Sequence, residues 1–238
     1  AIFYKGFAIV CTILVLLLAI DYKGILAKFT ENPGSQEGTG EYYALPVFAC
    51  AGMMWMASAK DLISIFVALE LVTITFYILV AFMRRNVGSL EAGVKYLILG
   101  ALSTGILVYG VAWIYGTTGT TDLALIGEKL KELDSTTPAL FGLSLILLSL
   151  AFKVGAVPMQ LWIPDVYQGA PTPTTAFLSV GSKAAGFAIA ANSVAVGTRR
   201  HCVARIADAI TIARTGIQRA THSVTGRIAG FAAYALEI

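Results

Sequence analysis

The chain has 238 residues, 57% of them hydrophobic and 13% charged, with a mean hydropathy of +0.77 and a formal net charge of +3. Soluble domains carry about 25% charged residues. Half that share excludes an ordinary soluble domain and points to an all-α, polytopic membrane protein. The charge is also uneven. Residues 1–192 hold 11 Lys and Arg against 12 Asp and Glu, whereas residues 193–238 hold 6 Arg against 2 acids. The sequence thus divides into a membrane domain, 1–192, and an Arg-rich tail, 193–238.

Spanning helices need about 20 mostly apolar residues, and six such segments are predicted before the tail. The first runs over about Ile2–Ile20 and is followed by a polar loop. The second, Ala44–Ala59, ends in a tight turn at Lys60 and Asp61. The third, Leu62–Met83, is closed by Arg84, Arg85 and Asn86, and the fourth, Gly93–Tyr115, ends in interfacial aromatics. The fifth begins at Pro138 and is predicted to break at Pro158, which lacks an N–H and crowds the preceding turn. A sixth covers about Thr174–Asn192. Cys11, Cys50 and Cys202 have no metal-like spacing, and the sequence shows no nucleotide-binding, haem or cluster motif.

Three charges fall in the middle of these apolar segments: Glu70, Lys153 and Lys183. Each costs roughly 2.5–3.5 kcal/mol at the bilayer centre, so pairing or a wet path must offset it. Thr73 shares a helix face with Glu70, Ser149 with Lys153, and Ser179 and Gly186 with Lys183. Lys95 stands near the start of its helix, where a lysine reaching to the headgroups is an equal reading. Asp165 and Tyr167 follow the helix break as loop anchors. A Glu–Lys contact at about 4 Å and an effective dielectric of about 20 is worth roughly 4 kcal/mol. Making and breaking such a contact at membrane depth can load and release a proton. The expected site is therefore a proton relay, Glu70, Lys153 and Lys183 with Lys95 as a weaker member, beside a helix break at Pro158. No catalytic redox residue, cofactor site or metal site is expected in the chain itself.

The segments LISIFVALELVTITFYILVAFMRR, SLEAGVKYLILGALSTGILVYG and AFKVGAVPMQLWIPDVYQGAPTPTTAFLSVGSKAAGFA resemble the antiporter-like membrane subunits of respiratory complex I. PDVYQGAPTP is similar to the subunit N branch of the bacterial NADH–quinone oxidoreductase. The resemblance spans about residues 1–192. It implies one five-helix antiporter-like repeat plus a preceding helix, with a broken helix near Lys153–Pro158. It also implies that Glu70, Lys153 and Lys183, with Lys95, are the family's half-channel residues, coupling quinone reduction elsewhere to proton movement. NAD, FMN, iron–sulfur clusters and quinone would then sit in partner subunits. The partners would be the other membrane subunits of complex I and the lipid bilayer, with no nucleic acid, in a bacterial inner membrane.

Three alternatives stand beside this expectation. One is a subunit of a multi-subunit cation/proton antiporter. Another is a subunit of a membrane hydrogenase. The third is a non-functional truncated product, since the sequence opens in a helix without an initiator Met and the family would continue past Asn192. The tail reads either as a translated frameshift or as an interfacial amphipathic helix, with Val203, Ile206, Ile210, Ala213 and Ile217 on one face.

Overall fold

The computed structural model describes residues 2–29, 39–131, 135–157, 159–187 and 189. Among these residues the protein is helical, with a lone antiparallel bridge between Asp61 and Asp122. The long helices are α1 (Ile2–Leu26), α2 (Gly40–Met56), α3 (Leu62–Val80), α4 (Val87–Thr118) and α6 (Thr137–Val154). Shorter pieces are α5 (Leu123–Lys129), a 3-10 turn at Met159–Trp162, α7 (Ile163–Gly169) and α8 (Thr172–Phe177). The last continues through a π-helical turn, Leu178–Ser182, into a further helical stretch at 183–187.

Ile2–Leu26, Leu62–Val80, Val87–Thr118 and the combined segment Thr137–Gly169 are long and apolar enough to cross a membrane. Of the six expected segments, α2 reaches only 17 residues, about 25 Å at 1.5 Å per residue. The sixth leaves the described residues at its C-terminal end. The tail, 193–238, also lies outside them, so neither reading of it has a structural counterpart.

Helix ends follow local chemistry. Asn86 caps α4 by accepting from Gly88 N–H at 3.0 Å, which starts that helix six residues before the expected Gly93. Hydropathy alone overlooks this polar first turn. At its other end Gly119 takes φ 66°, and Lys129 Nζ donates to the Thr118 carbonyl at 2.8 Å. Asp122 caps α5 through Ala124 N–H at 2.8 Å and Leu125 N–H at 3.1 Å. The α2–α3 turn and the α4–α5 loop then join as a short ladder. Leu62 N–H donates to the Thr121 carbonyl at 2.9 Å, and Leu123 N–H to the Lys60 carbonyl at 3.0 Å.

Asp61 caps α3. Ser64 N–H donates to Oδ1 at 2.8 Å and the Ser64 hydroxyl to Oδ2 at 2.6 Å. The hydroxyl first, and then the backbone N–H, hold the Asp61 carboxyl below its usual range. A depressed carboxyl contributes stability above its unfolded pKa of about 3.9 and loses it as pH falls through the folded value. Asp61→Ala is expected to lower stability by about 1 kcal/mol at neutral pH. That difference should shrink below about pH 4, as read by thermal unfolding in detergent at both pH values.

Small residues set the packing of α4 on α6. A Cβ at Gly110 would lie 2.8 Å from the Gly142 carbonyl, and one at Gly142 would lie 2.9 Å from the Gly110 carbonyl. Seven residues away on each helix, the Ser103 and Ser149 hydroxyls meet at 3.0 Å. Since 103 pairs with 149 and 110 with 142, the two helices run antiparallel in a fixed register. Close backbone approach through small residues is how membrane helices gain packing energy without a hydrophobic driving force.

Candidate functional site

The fold places Lys153 in the last turn of α6, where the helix dipole favours a cation. The helix ends there through a glycine rather than through proline. Gly155 takes φ 75°, with its N–H on the Phe152 carbonyl at 3.1 Å and Ala156 N–H on the Ala151 carbonyl at 2.8 Å. These two bonds form a Schellman motif. Trp162 Nε1 adds a third donor, to the Phe152 carbonyl at 3.0 Å. The break expected from Pro158 is thus already complete at Gly155, and Pro158 itself lies outside the described residues. Irregular backbone at membrane depth must be satisfied within the protein, and here the helix-end carbonyls of Ala151 and Phe152 are.

Lys153 is buried, and its ammonium donates to the Thr73 hydroxyl of α3. Thr73 in turn donates to the Leu69 carbonyl at 2.6 Å. Glu70, one turn below Thr73, accepts from the Thr104 hydroxyl of α4 at 2.8 Å. Glu70 and Lys153 interact electrostatically but make no direct ion pair. Each is held instead by a threonine on a neighbouring helix. Lys153, Thr73 and Ser182 border a small cavity with room for about one water molecule. Glu70 and Thr104 open on the other side, onto an apolar groove between α3 and α4 of about 670 Å³.

Lys183 immediately follows the π-helical turn at Leu178–Ser182. Such turns recur at functional sites because they re-aim the side chains around them. The Lys183 ammonium lies 5.5 Å from the centre of the Tyr167 ring, a cation–π contact. The two lysines are linked through packing: a Cβ at Gly186 would meet Val154 Cγ2 at 3.0 Å and Lys153 Cβ at 3.9 Å. Tyr167 therefore faces Lys183, a closer part in the site than loop anchoring alone.

Lys95 stands apart. It is half-buried and pairs with Glu91 and Asp165, each at 2.8 Å. Asp165 thus anchors α7 to the start of α4, where a Cβ on Gly169 would come within 2.5 Å of the Gly88 carbonyl. Glu70, Lys153 and their threonines form one polar belt, Lys183 adjoins it, and Lys95 serves the α4–α7 contact. Among the described residues, no group of three or more His, Cys, Asp or Glu side chains could hold a metal ion.

The sequence family described as NADH:quinone oxidoreductase/Mrp antiporter, TM, matches residues 59–213. The chain belongs to this family. The match contains Glu70, Lys153 and Lys183, and it extends past Asn192, where the resemblance read from the residues stops. NADH-quinone oxidoreductase subunit N of Heliobacterium modesticaldum is 47% identical over 189 residues, covering 79% of this chain and 38% of that protein. NADH-quinone oxidoreductase subunit N 2 of Rhizobium meliloti is also 47% identical over 189 residues, with the same coverage. The chain therefore spans about 38% of the length of these curated relatives.

Among solved structures, respiratory complex I from Thermus thermophilus with bound aureothin aligns with a TM-score of 0.63 and 31% identity. That alignment covers 79% of this chain and 39% of the matched one. An archaeal membrane-bound sulfane sulfur reductase aligns with a TM-score of 0.61 at 31% identity, over 76% of this chain and 36% of the other. The family and the four apolar helices make this a multi-pass integral membrane protein.

Thr73 and Thr104 contact Lys153 and Glu70, and sequence reasoning did not single them out as members of the site. Thr73 carried a partial signal, three residues from Glu70 on the same face. Thr104 carried none, because its role depends on how α4 packs against α3.

Proposed function

We propose that the chain is a proton-translocating membrane subunit of an NADH–quinone oxidoreductase. Quinone reduction elsewhere in the assembly is coupled to proton movement through Glu70, Lys153 and Lys183. The observation that carries this reading is the buried Lys153 ammonium at a glycine-terminated helix end, one helical turn of α3 away from Glu70. An amine and a carboxylate at membrane depth, each hydrogen-bonded but not to one another, form a pair that can close and reopen. Closing favours both ions, and opening makes proton release easier. Lys183 continues the path along α8 and Tyr167.

The redox groups, NAD, FMN, iron–sulfur clusters and quinone, belong to partner subunits in this reading. The membrane is the bacterial inner membrane, consistent with the bacterial relatives. The names of those relatives favour a quinone-linked complex over a cation/proton antiporter assembled without electron transfer.

The test is Glu70→Gln in the complete assembly, reconstituted into vesicles and followed by lumenal pH during NADH oxidation. Proton movement is expected to fall at least tenfold per NADH oxidised. Unchanged movement per NADH would remove Glu70 from the path.

A further inference from the structure

Glu70 and Lys153 are not in contact, and the reason lies in two hydroxyls. The Thr73 oxygen faces Lys153 with a lone pair, because its own hydrogen is taken by the Leu69 carbonyl at 2.6 Å. The Thr104 hydroxyl is oriented the opposite way and donates to Glu70 Oε1 at 2.8 Å. One threonine thus offers an acceptor to the cation, and the other offers a donor to the anion. Neighbouring packing fixes both. Thr73 is buried within α3, and Ser103, beside Thr104, clasps Ser149 at 3.0 Å, one turn before Lys153. As α4 carries Ser103 toward α6 and Thr104 toward α3, it ties the helix of Lys153 and the side chain of Glu70 to one frame.

We propose that Thr73 and Thr104 are positioning residues that latch the Glu70–Lys153 pair in its separated state. This inference rests on the relay reading above and adds to it what holds the pair open. Without the Thr73 acceptor, a buried ammonium has Glu70 as its nearest charged alternative. Without the Thr104 donor, the Glu70 carboxylate loses the only hydrogen bond it makes to a described residue. Either loss favours the closed pair. A pair that stays closed passes protons slowly and changes the pH at which the relay loads.

The experiment uses the complete assembly in vesicles, with Thr73→Val, Thr73→Ser, Thr104→Val and Thr104→Ser compared with wild type and Lys153→Met. Proton movement per NADH oxidised is measured across a pH series. Valine retains threonine's shape without the hydroxyl, and serine retains the hydroxyl with less bulk. Each valine variant is expected to lower proton movement about tenfold and to move the midpoint of its pH profile by about one unit. Each serine variant should keep the wild-type midpoint. Valine variants with a wild-type rate and midpoint overturn the latch. So does an equal loss in valine and serine variants, which would indicate packing alone. Lys153→Met separates the two levels: if it moves protons normally, the relay reading fails, whereas if it is inactive while both valine variants behave as wild type, only the latch fails.

Discussion

Lys153→Met is expected to fold at least as well as the wild type and to lose proton movement by at least about a hundredfold. Removing a buried charge relieves its desolvation cost, and replacing buried ions with apolar groups of similar volume is often neutral or stabilising. Thr73 would keep its bond to the Leu69 carbonyl, so the substitution leaves no orphaned hydroxyl. Positioned proton-transfer groups contribute about 10²–10⁴-fold to the reactions they serve. Lys153→Arg sharpens the result. A guanidinium supplies the charge and its hydrogen bonds but does not release a proton near neutral pH. A purely structural cation would be rescued by arginine, and a relay station would not. Detergent melting and vesicle acidification, measured on the same preparations, read both halves of this expectation.

The second large effect is expected at Gly155. Its φ of 75° ends α6, and a Cβ there would lie 2.3 Å from Ile163 Cδ1. Valine would combine left-handed backbone strain with crowding, together about 2–4 kcal/mol. Part of that strain can be relieved by undoing the Schellman turn, which would displace the Lys153 helix end from Thr73. Gly155→Val should therefore lower the melting temperature and reduce proton movement although every charged residue is still present. Gly155→Asn should do less, because asparagine tolerates this backbone region although its Cβ meets the same Ile163 side chain. A valine variant with wild-type stability would show that the turn at Gly155 can be replaced without consequence.

The helical architecture was largely legible in the sequence because apolar runs are its direct physical requirement in lipid. Glu70, Lys153 and Lys183 stand out in the sequence for the same reason: each is a charge among apolar residues. Helix ends were less legible. Asn86 and Asp122 are cap residues that hydropathy ignores, and α5 hides in a polar loop behind Asp122. The helix break was expected from Pro158, which lies outside the described residues. Pro158 stands out in a sequence, while Gly155 ends the helix three residues earlier through its φ.

The partners of the charges were not legible. Thr104 meets Glu70 across 34 residues and Thr73 meets Lys153 across 80, and nothing local marks either pairing. The same holds for Lys95. Its position near a helix start gives no sign of its ion pairs with Glu91 and Asp165, which tie α7 to the start of α4. The π-helical turn before Lys183 likewise has no signature in residue type.

The central claim is that Glu70 and Lys153 act as one unit. It is tested most directly by a double-mutant cycle on proton movement per NADH oxidised, using Glu70→Gln, Lys153→Met and the two combined in the reconstituted assembly. Residues that act together are strongly non-additive. The account predicts that the double variant is no slower than the slower single variant. Losses that multiply, each independent of the other, would contradict it.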